Sequence, residues 1–246
     1  MAAKRKKAGL FDAWLEATSG TPPLYGERAG KQADGLKLVK ELLAAHFVGE
    51  EVILKAGGYG KVANTIKNSM PLGKRTRSGD LGELLATEYI RDQTTFIVPF
   101  NKLQWKDDRK VAMRGNDVVA VRKERSTTKV LKAEVKSRAN FYPSHVTEAC
   151  ESLDADDGRP NPATLAFITK RLYLLDRNEE AELYENLQTR DSIRAEDTEH
   201  LLFVFAGNDL TNAFLSIPSA AKRRISRKCA GIVVTGHSAF IEKVFK

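Results

Sequence analysis

The chain has 246 residues, 42% of them hydrophobic and 29% charged, which is ordinary for a globular protein with a substantial core. It has no run of about 18 apolar residues and no apolar segment after its basic start, so we expect neither a membrane span nor a secretory signal. Its two cysteines lack CxxC spacing and fit a reducing cytoplasm, while the net charge of +8 favours anionic partners such as nucleic acids.

The first 77 residues predict short helices joined by irregular segments. Apolar spacing and turn residues predict four elements: a helix at 10–15, a loop at 18–32, an amphipathic helix from 36 to about 47 and a helix at 61–68.

A helix and three strands are predicted next. The helix runs from 78 to about 91, with Ser78 or Asp80 as its N-cap. The strands are predicted at 94–99, 111–122 and 129–138. Because the connector between the last two is short and polar, they predict an antiparallel hairpin.

The C-terminal half predicts further helices at 144–153, 163–176, 179–187 and 239–245. Continuous apolar runs predict buried strands at 200–206 and 229–235. Together these elements predict an α/β protein built around a mixed sheet. Residues 1–77 are predicted to form a helical or irregular elaboration of a main domain at 78–246.

The strand predicted at 129–138 carries the most informative pattern. It alternates apolar and charged residues: Leu131, Ala133 and Val135 on one face, and Lys132, Glu134, Lys136 and Arg138 on the other. Successive side chains of a strand point to opposite faces, so the charged residues share one face. The preceding strand contributes Asp117. Two acids and a lysine that converge in this way predict a site for a divalent ion and a phosphodiester.

The chemistry assigns a role to each residue. Mg²⁺ prefers oxygen ligands and commonly takes one or two carboxylates, and such an ion can activate water for phosphodiester hydrolysis. We predict Asp117 and Glu134 as ligands of Mg²⁺ or Mn²⁺, with the backbone carbonyl of Val135 as a third oxygen. Lys136 is predicted as the catalytic cation. The alternative is an exposed cross-strand ion pair that stabilises the sheet weakly.

Four further residues are candidates. Glu83 is predicted as an accessory catalytic carboxylate and an additional metal ligand, although an acid in a first helical turn also complements the helix dipole. Lys132, Arg138 and Arg114 are predicted to bind nucleic-acid phosphates. For Lys132 a solvated role is equally open.

These residues resemble the PD-(D/E)xK phosphodiesterase superfamily, which has a helical Glu, an Asp at a strand start and an ExK motif on the next strand. Glu83, Asp117 and Glu134-Val135-Lys136 match that order. Gly115-Asn116 stands before Asp117, where the name-giving motif has a proline. The resemblance implies a restriction-endonuclease-like fold, in which helices flank a mixed central sheet.

A wider match, over 79–85, 113–117 and 132–138, resembles the HamA family, the small effectors of the bacterial Hachiman anti-phage system. This resemblance implies a cytoplasmic, metal-dependent DNase that a HamB-like helicase restrains or delivers. Neither a small-molecule cofactor nor a membrane partner is expected.

Two alternatives remain open. The chain could be a site-selective endonuclease of a restriction or repair system, which would make defined cuts. It could also be a catalytically inert adaptor, which would bind nucleic acid or a partner without metal-dependent cleavage.

Overall fold

The computed structural model describes residues 9–113, 115–125, 127–189, 193–218 and 224–246. The α-helices in these ranges are α1 (Leu10–Ala13), α2 (Gln32–Val48), α3 (Glu50–Lys55), α4 (Ala63–Ser69), α5 (Lys74–Gln93), α6 (Val146–Asp154), α7 (Pro162–Leu174), α8 (Asn178–Thr189), α9 (Thr211–Leu215) and α10 (His237–Val244). The strands are β1 (Leu15–Gly20), β2 (Pro23–Glu27), β3 (Val118–Lys123), β4 (Thr128–Arg138), β5 (Thr198–Ala206) and β6 (Ser226–Val233). Of the helices described, none combines the length and apolarity that a membrane crossing requires.

The described strands form one six-stranded sheet in the order β1-β2-β6-β5-β4-β3. The four central strands pair in parallel, whereas β1 and β3 pair antiparallel at the two edges. Helices cover both faces of this sheet. The predicted α/β class with a mixed sheet is therefore confirmed.

The hairpin predicted to carry the site is also confirmed. β3 and β4 pair antiparallel, with Val118 opposite Ala133 at the open end of the ladder. Continuing this register by one residue places Asp117 opposite Glu134. Residues directly opposite on an antiparallel pair share one face of the sheet.

The central strand β5 separates two hydrophobic cores. Leu201, Phe203 and Phe205 join the core beneath α5, which also contains Leu131 and Ala133 of β4. The alternate residues Leu202, Val204 and Ala206 join the core beneath α6 and α9. This burial on both faces explains the continuous apolar run of β5.

The loop predicted at 18–32 is wrong in part, because this stretch contains the end of β1 and all of β2. β1 is an edge strand with mostly exposed side chains, and β2 begins at a proline. An edge strand tolerates a polar sequence, and a proline is tolerated as the first residue of a strand, so the apolar signal of a strand is missing here. β2 pairs with β6 of the C-terminal half.

Three predictions near the site need correction. The predicted strand at 94–99 contributes only an isolated bridge between Ile97 and Val121, and the strand predicted from 111 begins at Val118. Neither Ser78 nor Asp80 is an N-cap, because α5 starts a full turn earlier, after Gly73. No helix breaker separates the basic residues 74–77 from the rest of that helix.

Candidate active site

Asp117 is fixed at the open end of the β3–β4 hairpin. Its Oδ2 accepts a hydrogen bond of 2.7 Å from the backbone N–H of Val135. That amide lies beyond the last paired residues of the ladder, so a side chain takes the place of a backbone partner. In a strand the N–H and C=O of one residue point to the same side. The Val135 carbonyl therefore also faces the side on which Asp117 lies.

The folded protein disfavours the ionised forms of Asp117 and Glu134. Burial raises the pKa of Asp117 to about 7, and the nearby charge of Glu83 adds to the effect. Burial likewise raises the pKa of Glu134 to about 7, with a contribution from the charge of Asp117. Each acid disfavours the ionised form of its neighbour, and a cation between them would relieve this repulsion.

Lys136 lies on the same strand face as Glu134, as predicted. Its Nζ is 3.0 Å from Glu134 Oε1 and 3.0 Å from Glu148 Oε1. Burial alone would lower the pKa of Lys136, but the carboxylates of Glu134 and Glu148 raise it above its ordinary value. The lysine is therefore a stable cation rather than a proton acceptor.

Glu148 is a site residue that the sequence reasoning missed. It lies in the first turn of α6 and bridges Lys136 to Arg138, whose guanidinium is 3.1 Å from Glu148 Oε2. Its hydrogen bond with Lys136 lowers the pKa of Glu148. No spacing rule connects a strand residue to a helix residue 12 positions later, so the sequence carried no signal for this contact.

Glu83 reaches the site from α5, on the opposite face of β4 from Glu134. The helix approaches closely at Gly82, where an added Cβ would lie 3.0 Å from Val135 Cγ1. Glu83 is buried, and burial raises its pKa. Its Oε2 accepts no hydrogen bond, although Lys102 Nζ lies 3.6 Å away. Glu83 also lines a cavity of about 30 Å³ with Lys102, Asn116 and Asp117, which can hold a water molecule.

The turn that leads into Asp117 is held by α7. Asn116 N–H donates to Thr164 Oγ1 at 3.0 Å, and Asn116 Oδ1 accepts from the backbone of Asn161 at 2.6 Å. Gly115 has a φ of 89° and leaves no room for a Cβ against Thr164. The Gly-Asn sequence before Asp117 therefore suits this turn, in place of the proline of the name-giving motif.

The predicted metal ligands include two carboxylates, those of Asp117 and Glu134. In the part of the chain that the structure describes, no three His, Cys, Asp or Glu side chains group as possible metal ligands. Asp117, Glu134 and the Val135 carbonyl still offer an all-oxygen set of the kind that Mg²⁺ accepts. Metal binding by Asp117, Glu134, Val135 and Glu83 stays a prediction.

The predicted phosphate-binding residues differ in their placement. Lys132 is only 1% exposed, and its Nζ donates to the carbonyl of Ala155 at 2.7 Å. It is buried because helices and loops cover both faces of β4, which the charge pattern did not reveal. Arg138 is 41% exposed and remains available at the surface. Arg114 lies outside the described residues.

The fold and the site together define an α/β protein whose mixed sheet carries an acid pair and a lysine at the end of a hairpin. Comparison with known proteins identifies the family of this chain. The HamA family model matches residues 30–246. The chain is similar to the Hachiman protein HamA of Bacillus cereus, with 27% identity over 157 residues. That match covers 64% of this chain and 55% of the relative, so the chain matches just over half of the relative's length. The chain belongs to the HamA family.

Proposed function

We propose that this protein is a metal-dependent deoxyribonuclease that acts in bacterial anti-phage defence. The observation that carries the proposal is the pairing of Asp117 with Glu134 beside the Lys136 cation. Two neighbouring carboxylates with pKa values near 7 lower the stability of the fold at neutral pH, and such perturbed groups are common at functional sites. The net charge of +8 agrees with a polyanionic substrate.

The chain's own residues divide the work of phosphodiester hydrolysis. Asp117, Glu134 and the Val135 carbonyl would hold Mg²⁺ or Mn²⁺, and the bound ion would polarise the phosphoryl oxygen and activate a water molecule. The Val135 N–H keeps Asp117 oriented. The Lys136 ammonium offsets the negative charge that develops on the phosphoryl oxygens. Arg138, which is partly exposed beside Glu148, contacts the DNA backbone.

The defence role rests on family membership. The similar protein from Bacillus cereus carries the name Hachiman protein HamA, and this chain matches the same family model over most of its length. We propose that a HamB-like helicase restrains or delivers the nuclease. An unrestrained DNase of low specificity would degrade the host chromosome, so a restraint is needed.

Plasmid digestion with matched variants tests the proposed activity. Wild-type protein is incubated with DNA in Mg²⁺, Mn²⁺ or EDTA, beside the double variant Glu134→Gln/Lys136→Met. The control is Glu51→Gln/Lys55→Met, which removes an acid and a lysine 3.9 Å apart that are at least 82% exposed. We expect cleavage that needs the metal, survives in the control and falls at least about 100-fold in the site variant.

The outcomes separate the proposed nuclease from the alternatives. Cleavage that persists in the site variant, or in EDTA, would refute the assigned residues or the metal. DNA binding by the wild type without cleavage in either metal, alone and with a HamB-like helicase, would favour the inert adaptor. Discrete fragments in place of general degradation would favour a site-selective endonuclease.

A further inference from the structure

Lys102 contacts both parts of the site that approach from opposite faces of the sheet. It lies in the 3₁₀ helix Lys102–Trp105, outside the helix and the hairpin that carry the predicted residues. Its Nζ donates to the backbone carbonyl of Asn116 at 2.9 Å and lies 3.6 Å from Glu83 Oε2. A single ammonium therefore joins the turn before Asp117 to the carboxylate of α5.

A neighbouring lysine provides a direct comparison. Lys106 donates to both carboxylate oxygens of Asp80, at 2.8 Å and 2.6 Å, and its side chain is only 3% exposed. Both carboxylate oxygens of Asp80 therefore have a hydrogen-bond donor. In contrast, Glu83 Oε2 has no hydrogen-bond partner, and Lys102 is 16% exposed. Lys102 and Glu83 therefore attract each other electrostatically, without a hydrogen bond to Glu83 Oε2.

The surroundings of Lys102 explain why its charge matters. The small cavity beside it is lined by Glu83, Asn116 and Asp117. Glu83 is buried and Asp117 is partly buried, so the two acids repel each other where water screens charges poorly. Among the described residues that line this cavity, Lys102 supplies the one lysine or arginine side chain, and its ammonium offsets part of that repulsion.

We infer that Lys102 is a positioning residue of the site, holding the Asn116–Asp117 turn against Glu83 and neutralising these acids before a divalent ion binds. The part of the inference that concerns metal and catalysis rests on the proposed nuclease function. The part that concerns the coupling of Lys102 to Glu83 does not.

The coupling is tested by thermal unfolding of metal-free protein at pH 8. Lys102→Met removes the ammonium nearest to Glu83 and part of the positive charge that acts on Asp117, so we expect the melting temperature to fall by about 2–4 °C or more. Glu83→Gln removes one of the two repelling charges. In the double variant Lys102→Met/Glu83→Gln, most of the loss should therefore disappear. Additive effects in this double-mutant cycle would overturn the inference.

The role in the site is tested by Mn²⁺ affinity and cleavage rate together. Without Lys102 the site is more negative, so Lys102→Met should bind Mn²⁺ several-fold more tightly in a calorimetric titration. At the same time the Asp117 turn loses its support, so cleavage should fall by about tenfold or more. Lys102→Arg, which keeps the charge, should recover wild-type Mn²⁺ affinity and part of the rate.

The double variant Asp80→Asn/Lys106→Met is the matched control. It removes the neighbouring ion pair without changing the net charge, and replacing both partners of a buried pair is commonly tolerated. We expect its Mn²⁺ affinity and cleavage rate to stay within about twofold of wild type.

Two failures can be told apart. If the wild type cleaves DNA but Lys102→Met keeps wild-type Mn²⁺ affinity and rate, the inference fails and the proposed function stands. If the wild type neither binds Mn²⁺ nor cleaves, the proposed function fails. The double-mutant unfolding cycle with Glu83→Gln then still decides whether Lys102 is electrostatically coupled to Glu83.

Discussion

At the scale of single residues, like charges that face each other across two strands repel, and burial strengthens that repulsion. Asp117 and Glu134 are in this position, and both have pKa values near 7. An amide at position 117 would serve the hairpin better, because Asp117 needs only an oxygen to accept the Val135 N–H. Under the proposed function, the acid pair lowers the stability of the fold but provides a cation site, as functional sites commonly do.

The repulsion between the acids predicts that Asp117→Asn stabilises the metal-free protein. The amide oxygen can still accept from Val135, while the repulsion with Glu134 and Glu83 is removed. Since one pKa unit corresponds to about 1.4 kcal/mol, a gain of about 1–3 kcal/mol is expected at pH 8. Chemical denaturation in EDTA measures it.

The control for this prediction is the exposed Asp107, whose change to asparagine should alter stability by less than about 0.5 kcal/mol. A loss of stability in Asp117→Asn would contradict the electrostatic account of the pair. It would mean that the ionised carboxylate is needed to hold the hairpin end.

At the scale of elements, sequence patterns predict what lies within one element and fail where two elements meet. The alternation in β4 and the apolar run of β5 predicted those strands, because the faces that a strand buries determine where apolar residues occur in its sequence. The edge strand β1 bears too few buried residues to produce a pattern. The roles of Lys102 and Glu148 arise from tertiary contacts between segments far apart in the chain, so no local spacing could reveal them.

The packing of α5 on β4 gives a prediction with a built-in control. Gly79→Ala and Gly82→Ala both add a methyl group to the same helix, and both gain helix propensity of up to about 1 kcal/mol. Nothing lies within 4 Å of a Cβ at Gly79, whereas a Cβ at Gly82 would lie 3.0 Å from Val135 and 3.1 Å from Ser137. We expect Gly79→Ala to be stabilising and Gly82→Ala to be neutral or destabilising.

The same pair of variants tests how Glu83 is placed. In Gly82→Ala the contact with β4 must widen by a few tenths of an ångström, and we expect α5 to take up part of this change and move Glu83 relative to Asp117. Nuclease activity should therefore fall in Gly82→Ala by about tenfold and stay at the wild-type level in Gly79→Ala. Equal stability and equal activity of the two variants would show that the close approach at Gly82 has no role in positioning Glu83.

At the scale of the whole molecule, His237 joins the C-terminal segment to the middle of the sheet. It begins α10, packs against the ring of Phe205 in β5 at 4.6 Å, and its Nε2 lies 3.1 Å from Ser137 Oγ in β4. Ser137 in turn lies 2.8 Å from Ser78 Oγ in α5. The histidine is 3% exposed, and burial lowers its pKa from 6.5 to about 4.

The lowered pKa of His237 predicts a loss of stability in acid. Because the unfolded chain takes up a proton near pH 6.5 and the folded chain only near pH 4, stability falls as the pH decreases through this window. The full loss is at most about 3 kcal/mol.

His237→Gln, which can still hydrogen-bond Ser137, should remove this part of the pH dependence. The buried acids of the site act in the opposite direction, so the comparison between wild type and variant is what isolates His237. Urea unfolding at pH 7, 5.5 and 4.5 measures it, with the half-exposed His145→Gln as control. If wild type and His237→Gln lose stability in parallel, the imidazole of His237 is not held neutral in the folded protein.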